Sequence, residues 1–505
     1  MVSDPGNNTA GGLLKCFPHM INSSVKIHDK YSFEIKLGFV ARKKKKVSEF
    51  AVNSWFFIPN SLDINRSTYD KKDFYRDMKS NIRLITPGYL LRDIATGDNS
   101  PFTMLESSFQ RLAFQPTRTH VAEYEYHIKM FLSIVKSALR NDMVHIMRNS
   151  IPEDTVFLVE EFVENASKIA RNYRNLRRII NVSTIQEDWF NYFLFGDEFL
   201  SNVIEQHSFM LLKAISTKGK QAPGSSRKKL LNLIHFEIEY KKDKDFRIVE
   251  KTRQHKNEEL VYRLTLLKKY AENVLFLSAR KKKDGILKEQ VYYSLAAGLS
   301  MVFATAIAFS FQQKYGNFTM PFFVALVVSY MLKDRLKELG RYYFAHKLGR
   351  SYFDHKTVIS LNENKIGWSK EAMDFIGEEN IPDEVLKIRD RSAILDANNR
   401  NNTEKIILYR KWIRLNRQSL DSCSVYPIAG TNEIIRFNVL NFTHQMDNPV
   451  MNLFLPEEKL DFEFAPSEKN YHINLVMQFR YEDQTNYRRY RIILNREGIR
   501  KIESL

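Results

Sequence analysis

The sequence predicts an α+β membrane protein. A mainly helical N-terminal domain with a small β-hairpin precedes a two-helix transmembrane hairpin, and a β-rich domain follows it. Three observations predict this architecture. Two uncharged apolar segments, Val291–Gln312 and Phe318–Leu332, flank a short polar loop. In the part of the chain before these segments, apolar residues recur with helical spacing. In the part after them, apolar and polar residues alternate, as is typical of strands.

The predicted boundaries follow these changes of pattern. They are a loose N-terminus over 1–28, a helical domain with the β-hairpin over 29–245, a long helix over 246–290, the transmembrane hairpin over 291–332, a basic juxtamembrane helix over 333–350, and the β-rich domain over 351–505.

The first elements are two strands. Tyr31–Val40 alternates aromatic and aliphatic residues with polar ones, which is typical of a half-buried strand, and Phe50–Ile58 reads as a second strand. The charged run Arg42–Lys46 connects them. The sequence therefore predicts that these strands pair as a β-hairpin.

Helical patterns dominate from about residue 70. We predict helices over 70–84, 102–113, 120–148, 154–181 and 186–216, with a Pro-Glu-Asp start signal at 152–154. The loop 218–229 has two glycines spaced as in a phosphate-binding loop. Ser225 and Ser226 stand where such a loop needs lysine, so nucleotide binding is not predicted there.

A coiled-coil-like stripe marks the predicted long helix. Its apolar residues recur at alternating spacings of four and three and are Leu260, Leu264, Leu267, Ala271 and Val274. Packing against other helices of the same chain explains the stripe more simply than self-association, which stays as the alternative.

The two apolar segments differ in length. A spanning helix needs about 20 apolar residues. The first segment meets this, but Phe318–Leu332 has only 15 residues. Two spans are the leading prediction; a re-entrant hairpin and a buried core hairpin of a soluble protein are the alternatives.

Basic residues border the hairpin on both sides. They are Arg280, Lys281, Lys282 and Lys283 before it, and Lys333, Arg335, Lys337 and Arg341 after it. The connecting loop holds only Lys314. Because positive flanks stay on the cytoplasmic side, both termini are predicted to be cytoplasmic. From the cysteines, which fit a reducing cytoplasm, and the compact two-span anchor, we expect a bacterial inner membrane.

Small residues at four-residue spacing, such as Ser294 and Gly298, line the first segment. They favour close packing of the two arms, with association between copies, and hence a homo-oligomer, as the alternative. Neither arm contains an ionisable residue, which argues against a transporter.

The overall charge also favours a membrane partner. The chain has 77 Lys and Arg against 59 Asp and Glu, a net charge of +18. Anionic lipid head groups rank above nucleic acid as the acidic partner, since the anchor already places the chain at a bilayer. The two cysteines, Cys16 and Cys423, are far apart and form no disulfide framework. The N-terminus shows no signal-peptide pattern.

Strand patterns dominate the last part of the chain. They cover Ile434–Phe442, Lys459–Phe464, Tyr471–Tyr481 and Tyr487–Leu494 and predict an antiparallel sheet or sandwich. The final hairpin carries Arg488, Arg489 and Arg491 among tyrosines. These arginines are candidates for phosphate or lipid contacts; a solvated sheet face is the simpler alternative.

No catalytic motif is recognisable, and no cofactor or metal is predicted. His120, Glu123 and His127 share a helical face, but ordinary polar positions explain them better than a metal site. We therefore expect a membrane-anchored scaffold, sensory or interaction protein with an unknown cytoplasmic protein partner. The alternatives are a self-assembling membrane effector or channel, and an unrecognised enzyme acting on lipid or nucleotide.

Overall fold

The protein is α+β, with helices and antiparallel sheets. The computed structural model describes residues 21–42, 44–94, 100–149, 151–217, 224–251, 254–316, 319–343, 353–361, 363–390, 404–456 and 462–505. The chain divides into two compact units. The sheet unit contains the residues up to Ile82, Leu277–Val425 and Gly430–Leu505, and the helical unit contains Arg83–Phe276 and Tyr426–Ala429.

The elements are numbered here in chain order. The strands are β1 (Ile21–Asp29), β2 (Ser32–Val40), β3 (Val47–Pro59), β4 (Met78–Leu84), β5 (Ser278–Lys283), β6 (His355–Leu361), β7 (Asn364–Ile376), β8 (Glu404–Asn416), β9 (Gly430–Asn438), β10 (Val450–Pro456), β11 (Phe462–Glu468), β12 (Tyr471–Tyr481), β13 (Gln484–Asn495) and β14 (Gly498–Ser504). The helices are α1 (Lys71–Asp77), α2 (Leu91–Ile94), α3 (Pro101–Phe114), α4 (Arg118–Arg148), α5 (Pro152–Asn175), α6 (Arg177–Ile180), α7 (Glu187–Thr217), α8 (Gly224–Asp243), α9 (Gln254–Glu272), α10 (Ile286–Tyr315), α11 (Met320–Tyr343), α12 (Asp383–Arg389), α13 (Arg417–Ser422) and α14 (Leu440–Thr443).

Two sheets form the core of the sheet unit. The larger sheet has eight strands in the order β14-β13-β12-β3-β8-β7-β6-β5, and the smaller has the order β1-β2-β9-β4. The aromatic rings of Phe56 on β3 and Phe437 on β9 stack at 5.7 Å, and those of Phe39 and Phe50 lie 5.4 Å apart. The two sheets therefore pack face to face as a sandwich.

The predicted hairpin of Tyr31–Val40 with Phe50–Ile58 is wrong. Both strands form, but β2 pairs with β1 and β9, whereas β3 lies between β12 and β8 in the larger sheet. The four consecutive residues from Trp55 to Ile58 are all buried. Such a strand is covered on both faces and belongs in the middle of a sheet. The N-terminal strands consequently belong with the C-terminal strands, not with the helical domain as expected.

The predicted long helix over 246–290 is also wrong. Helix α9 ends at Glu272, and β5 follows as an edge strand that pairs with β6. The border residues Arg280–Lys283 therefore lie on a strand. All six residues of β5 are exposed. Lysine-rich edge strands resist pairing with other chains, which gives this run a structural reason.

Another predicted helix, over 70–84, is half correct. Asp70 caps α1 through a capping box with Asp73, but the chain changes to β4 at Met78. The other predicted helices are confirmed as α3, α4, α5 with α6, and α7. The predicted strands over 471–481 and 487–494 are confirmed as β12 and β13, while Ile434–Phe442 divides into β9 and α14.

Some sequence predictions fall outside the described residues. These are the N-terminus up to residue 20 with Cys16, the glycine-containing loop over 218–223, the end of the basic juxtamembrane segment over 344–350, and the start of the strand predicted at Lys459.

The helical unit contains the apolar stripe of α9. Leu260, Leu267 and Ala271 are buried there, and α9 packs on α4 and α7. This arrangement supports packing within the chain as the reason for the stripe.

A close helix contact in this unit depends on Gly196 of α7. A Cβ atom at Gly196 would lie 2.0 Å from Oη of Tyr173, whose side chain is fully buried and donates to the backbone oxygen of Phe193 at 3.1 Å. We expect Gly196→Ala to lower the free energy of unfolding by about 1–3 kcal/mol, because overpacking outweighs the better helix propensity of alanine. Urea unfolding followed by circular dichroism measures the change.

Gly224→Ala is the matched control for this substitution, because nothing lies within 4 Å of a Cβ atom at Gly224. In a Tyr173→Phe background the penalty should shrink, since the clashing hydroxyl is gone. A stabilised Gly196→Ala variant would contradict the predicted clash.

Candidate functional site at the base of the apolar hairpin

Helices α10 and α11 form an apolar hairpin. The described part of the chain has one helix long and apolar enough to cross a membrane, α10, and only 11% of its most apolar window is buried. Side chains such as Leu299 and Phe309 are each 69% exposed. Charged residues begin in α11 at Lys333, so the second arm is apolar over a shorter length. By length and composition, the first arm alone could therefore cross a bilayer.

Small residues bring the two arms together. Ala296, Ser300, Ala325 and Ser329 are the buried residues of the hairpin, and Ser329 Oγ donates to the backbone oxygen of Ala304 at 3.0 Å. Close backbone approach of this kind is how helices pack in lipid, where no hydrophobic effect drives them together. The buried small residues therefore favour the prediction that the two arms pack on each other.

The hairpin leaves the sheet unit from two neighbouring strands. Its chain exits after β5 and returns before β6, and Lys283 lies opposite His355 where these strands pair. The backbone N–H of Asp284 donates to the carbonyl oxygen of Asp354 at 3.1 Å. Gly285, with φ of 77°, makes the turn into α10. The base of the hairpin is therefore held by backbone hydrogen bonds on both chain segments.

Two of the border residues predicted from sequence, Lys283 and Arg341, make contacts at this base. Lys283 pairs with Glu289 at 3.0 Å, and Glu289 accepts a hydrogen bond from Tyr293 at 2.8 Å. The guanidinium of Arg341 lies 5.3 Å from the Tyr293 ring. These contacts join the start of α10 to the end of α11 through partly solvated charges.

The remaining border residues make other contacts or lie on exposed surface. Lys333 lies 3.8 Å from the ring of Tyr330, and Arg335 pairs weakly with Glu338 at 3.9 Å. Arg280 and Lys282 lie on the exposed strand β5, and Lys337 is half-buried on α11.

A buried ionic network lies next to the base. Lys411 of β8 sits between Glu371 of β7 and Glu433 of β9; it pairs with Glu371 at 3.6 Å and donates a short hydrogen bond to Glu433. Tyr409 donates to Glu371 at 2.8 Å, and Lys281 of β5 pairs with Glu371 at 2.5 Å. We call these five residues the junction cluster, because Lys281 connects it to the strand that leads into α10.

Asp354 extends this arrangement to the returning strand. Its carboxylate accepts hydrogen bonds from Lys71 at 2.7 Å, Tyr75 at 2.9 Å and the backbone N–H of Met373 at 2.8 Å. The ring of Tyr75 also lies 4.5 Å from that of His355. Helix α1 thereby fixes the position at which the chain re-enters the sheet.

The electrostatics of the junction cluster keep Glu371 and Lys411 ionised. Burial acts to raise the pKa of Glu371, but the ammonium groups of Lys411 and Lys281 and the hydroxyl of Tyr409 outweigh it, and the pKa falls to about 2. Burial lowers the pKa of Lys411, but Glu433 and Glu371 reverse this and raise it. Groups with such pKa values hold fixed charges near neutral pH, which suits a structural connection better than proton transfer.

The structure separates the three arginines predicted as phosphate or lipid contacts. Arg488 lies on one face of β13 and donates to the backbone oxygen of Ser23 at 2.7 Å. Arg489 and Arg491 lie on the opposite face, where Arg489 donates to the backbone oxygen of Ile388 at 3.2 Å and Arg491 pairs with Glu503 at 3.5 Å.

The trio considered for a metal site is divided among separate partners. His120 bonds to the backbone oxygen of Gln115 at 2.7 Å, Glu123 pairs with Arg111 at 3.6 Å, and the buried His127 bonds to Tyr426 Oη at 2.8 Å. Within the described ranges, no group of three or more histidine, cysteine or acidic residues could hold a metal ion.

Sequence reasoning missed the junction cluster, although β8 contained a signal for it. Tyr409, Lys411, Ile413 and Leu415 alternate onto the buried face of the strand. A lysine in that register is surrounded by core residues and needs an acidic partner. The sequence does not show which glutamates supply it, because both come from other strands.

Comparison with known proteins finds no matching family model, no similar curated protein and no similar solved structure.

Proposed function

We propose that this chain is a membrane-anchored scaffold, sensory or interaction protein whose apolar hairpin fixes the sheet unit to a bilayer. The observation that carries the proposal is the exposed apolar length of α10. This helix follows directly after β5, which pairs with β6 in the larger sheet. A soluble domain rarely leaves an apolar surface of this extent uncovered. Lipid is the occupant that fits both arms and their basic borders.

The junction cluster gives the anchor a rigid base. Lys281 on the outgoing strand and Asp354 on the returning strand are each held by ion pairs inside the sheet unit. A shift of the hairpin in the bilayer would act on β6, β7 and β8 together, since these strands pair with one another. This connection supports a sensory role over that of a flexible tether.

The orientation follows from charge. With basic residues concentrated at the base, the sheet unit and the helical unit would face the cytoplasm of a bacterial inner membrane, and the loop at Lys314 would face outward. Anionic lipid head groups are the proposed ligands of the border residues, and a cytoplasmic protein is the proposed partner of the soluble units.

Self-assembly through the hairpin is a second candidate. Nothing lies within 4 Å of a Cβ atom built at Gly298, so this small residue is not used in the packing of the two arms. With Ser294 it lines an apolar groove on α10. A helix of a second copy could pack closely there.

Cysteine labelling in intact cells tests the orientation. In a chain with Cys16→Ser and Cys423→Ser, single cysteines are placed at Lys314, Glu258 and Glu497, all of which are exposed. We expect a membrane-impermeant maleimide to label only Lys314→Cys. All three variants should sediment with membranes and resist extraction by carbonate.

Labelling after lysis serves as the control, since all three cysteines should then react equally. Labelling of Glu497→Cys in intact cells would contradict a returning hairpin and would place the sheet unit outside. Recovery of the chain in the soluble fraction would contradict the anchor itself.

A further inference from the structure

Three arginines meet on one face of the larger sheet. Arg489 and Arg491 lie two residues apart on β13 and therefore share a face. Arg389 is the last residue of α12, which packs on the same face through Val385 against Trp55 and its neighbours. Burial lowers the pKa of Arg489, and the charges of Arg389 and Arg491 lower it further. Arg389 and Arg491 are thus each close enough to repel Arg489.

Their acidic partners compensate this charge unevenly. Arg389 donates to Glu404 at 2.6 Å. Arg489 and Asp390 are 3.7 Å apart, and Arg491 and Glu503 are 3.5 Å apart. Charge-assisted hydrogen bonds are shorter, about 2.7–2.9 Å. The Asp390 side chain is also 81% exposed, so water weakens its effect on Arg489.

Each of the three arginines also has an unused donor. The Nε–H groups of Arg389, Arg489 and Arg491 are buried and have no acceptor among the residues that the structure describes. The residues Arg389 and Arg489 are only 5% and 8% exposed. A guanidinium cannot lose its charge at physiological pH, so the missing acceptor cannot be avoided by deprotonation. Three such donors in one place indicate a ligand with several acceptor oxygens.

The neighbouring strand adds polar groups of both kinds. Asn474 of β12 lies opposite Arg491, and its Oδ1 atom is buried with no donor in the described part of the chain. His472, on the same face of β12, has an exposed side chain; partial burial of its ring, and then the charge of Arg491, lower its pKa. A phosphate that retains one proton can accept from the arginines and donate to Asn474.

We propose that Arg389, Arg489 and Arg491 form a binding site for a phosphate group, with Asn474 and His472 at its edge. Phosphate oxygens match the planar donor fork of arginine, and several arginines acting together give specificity for this group. Arg389 and Arg489 form the buried floor, and the Arg491 side chain, 33% exposed, opens to solvent. The group can belong to a soluble phosphate or to the head group of an anionic phospholipid.

Phosphate titration of the full chain in a mild detergent tests the site. Inorganic phosphate, compared with sodium chloride at equal ionic strength, should raise the Tm and bind saturably in calorimetry. Arg491→Gln should weaken this binding at least tenfold. Arg491→Lys keeps the charge but loses the planar donor fork of arginine. Its phosphate affinity should lie between those of the unaltered chain and Arg491→Gln.

Arg488→Gln is the matched control, because Arg488 lies on the same strand as Arg491, next to Arg489, but on the opposite face. It should bind phosphate as the unaltered chain does. Equal weakening by Arg488→Gln and Arg491→Gln would overturn the proposal and indicate a diffuse charge effect. The proposal would also be overturned if the unaltered chain bound neither inorganic phosphate nor short-chain phosphatidic acid saturably.

A second probe separates the two sources of the phosphate group. Short-chain phosphatidic acid is added to the same micelles and competed against inorganic phosphate. Tighter binding of the lipid, lost in Arg491→Gln, supports a head-group site; tighter binding of inorganic phosphate, lost in the same variant, supports a soluble ligand.

Discussion

Replacing Lys411 by methionine is expected to lower the free energy of unfolding of the sheet unit by about 3–5 kcal/mol. Methionine nearly preserves the length of the side chain, so the loss is mainly electrostatic. Glu371 and Glu433 are only 5% and 2% exposed, and both rely on the Lys411 ammonium. Without it, Glu371 keeps Lys281 and Tyr409, whereas Glu433 keeps, among the described residues, a hydrogen bond from Ser80 and becomes a buried charge without a cation.

Tryptophan fluorescence during urea unfolding measures this loss. Trp55, Trp368 and Trp412 lie in the sheet unit, and a Trp189→Phe background removes the signal of the helical unit. Lys501→Met is the control, since Lys501 pairs with Glu503 at the surface and should change stability by less than about 1 kcal/mol.

Neutralising the partners should reverse most of the effect. The triple variant Lys411→Met, Glu371→Gln and Glu433→Gln removes the uncompensated charges and should recover much of the lost stability. If Lys411→Met cost no more than Lys501→Met, the buried network would not be a stabilising feature of the junction.

The sequence could predict what local periodicity determines. The apolar length of α10, the helices α3, α4 and α7, and the strands β12 and β13 each show their pattern within one segment. The position of β3 could not be predicted in this way. Its partners β8 and β12 lie hundreds of residues later, and alternation does not reveal which strand a given strand pairs with.

The same limit applied to the candidate sites. Lys411 could not be assigned a role from the sequence, because its two glutamates come from β7 and β9. Arg489 and Arg491 were found by composition, and the two-residue period of a strand separates them from Arg488. Arg389 could not be added, since only the packing of α12 on the sheet brings it close.

His127 should make a contribution to the stability of the helical unit that is lost in mild acid. Burial, and then the charge of Arg111, lower the pKa of His127 to about 4 from its usual 6.5, and Glu123 opposes this only in part. Between these pH values His127 binds a proton in the unfolded chain but not in the folded chain. The stabilisation is therefore complete above pH 6.5 and is lost as the pH falls toward 4, by on the order of 3 kcal/mol.

The contribution of Asp142 to the stability of the helical unit changes with pH in the opposite direction to that of His127. Burial, and then the charge of Glu161, raise its pKa to about 6 from 3.8. The folded chain therefore keeps a proton that the unfolded chain releases, and this contribution to stability is present at low pH and is lost as the pH rises through about 6. The two groups oppose each other in the unaltered chain, so only a comparison of variants isolates His127.

His127→Gln provides that comparison, because glutamine is uncharged at every pH and can still bond to Tyr426. We expect the variant to be less stable than the unaltered chain above pH 6.5 and to approach or exceed it near pH 4, as measured by urea unfolding followed by circular dichroism. His235→Gln, at an exposed histidine of the same unit, should keep the original pH dependence. Parallel curves for His127→Gln and the unaltered chain would mean that His127 takes up its proton equally in both states, and that burial and the charge of Arg111 do not hold the ring neutral.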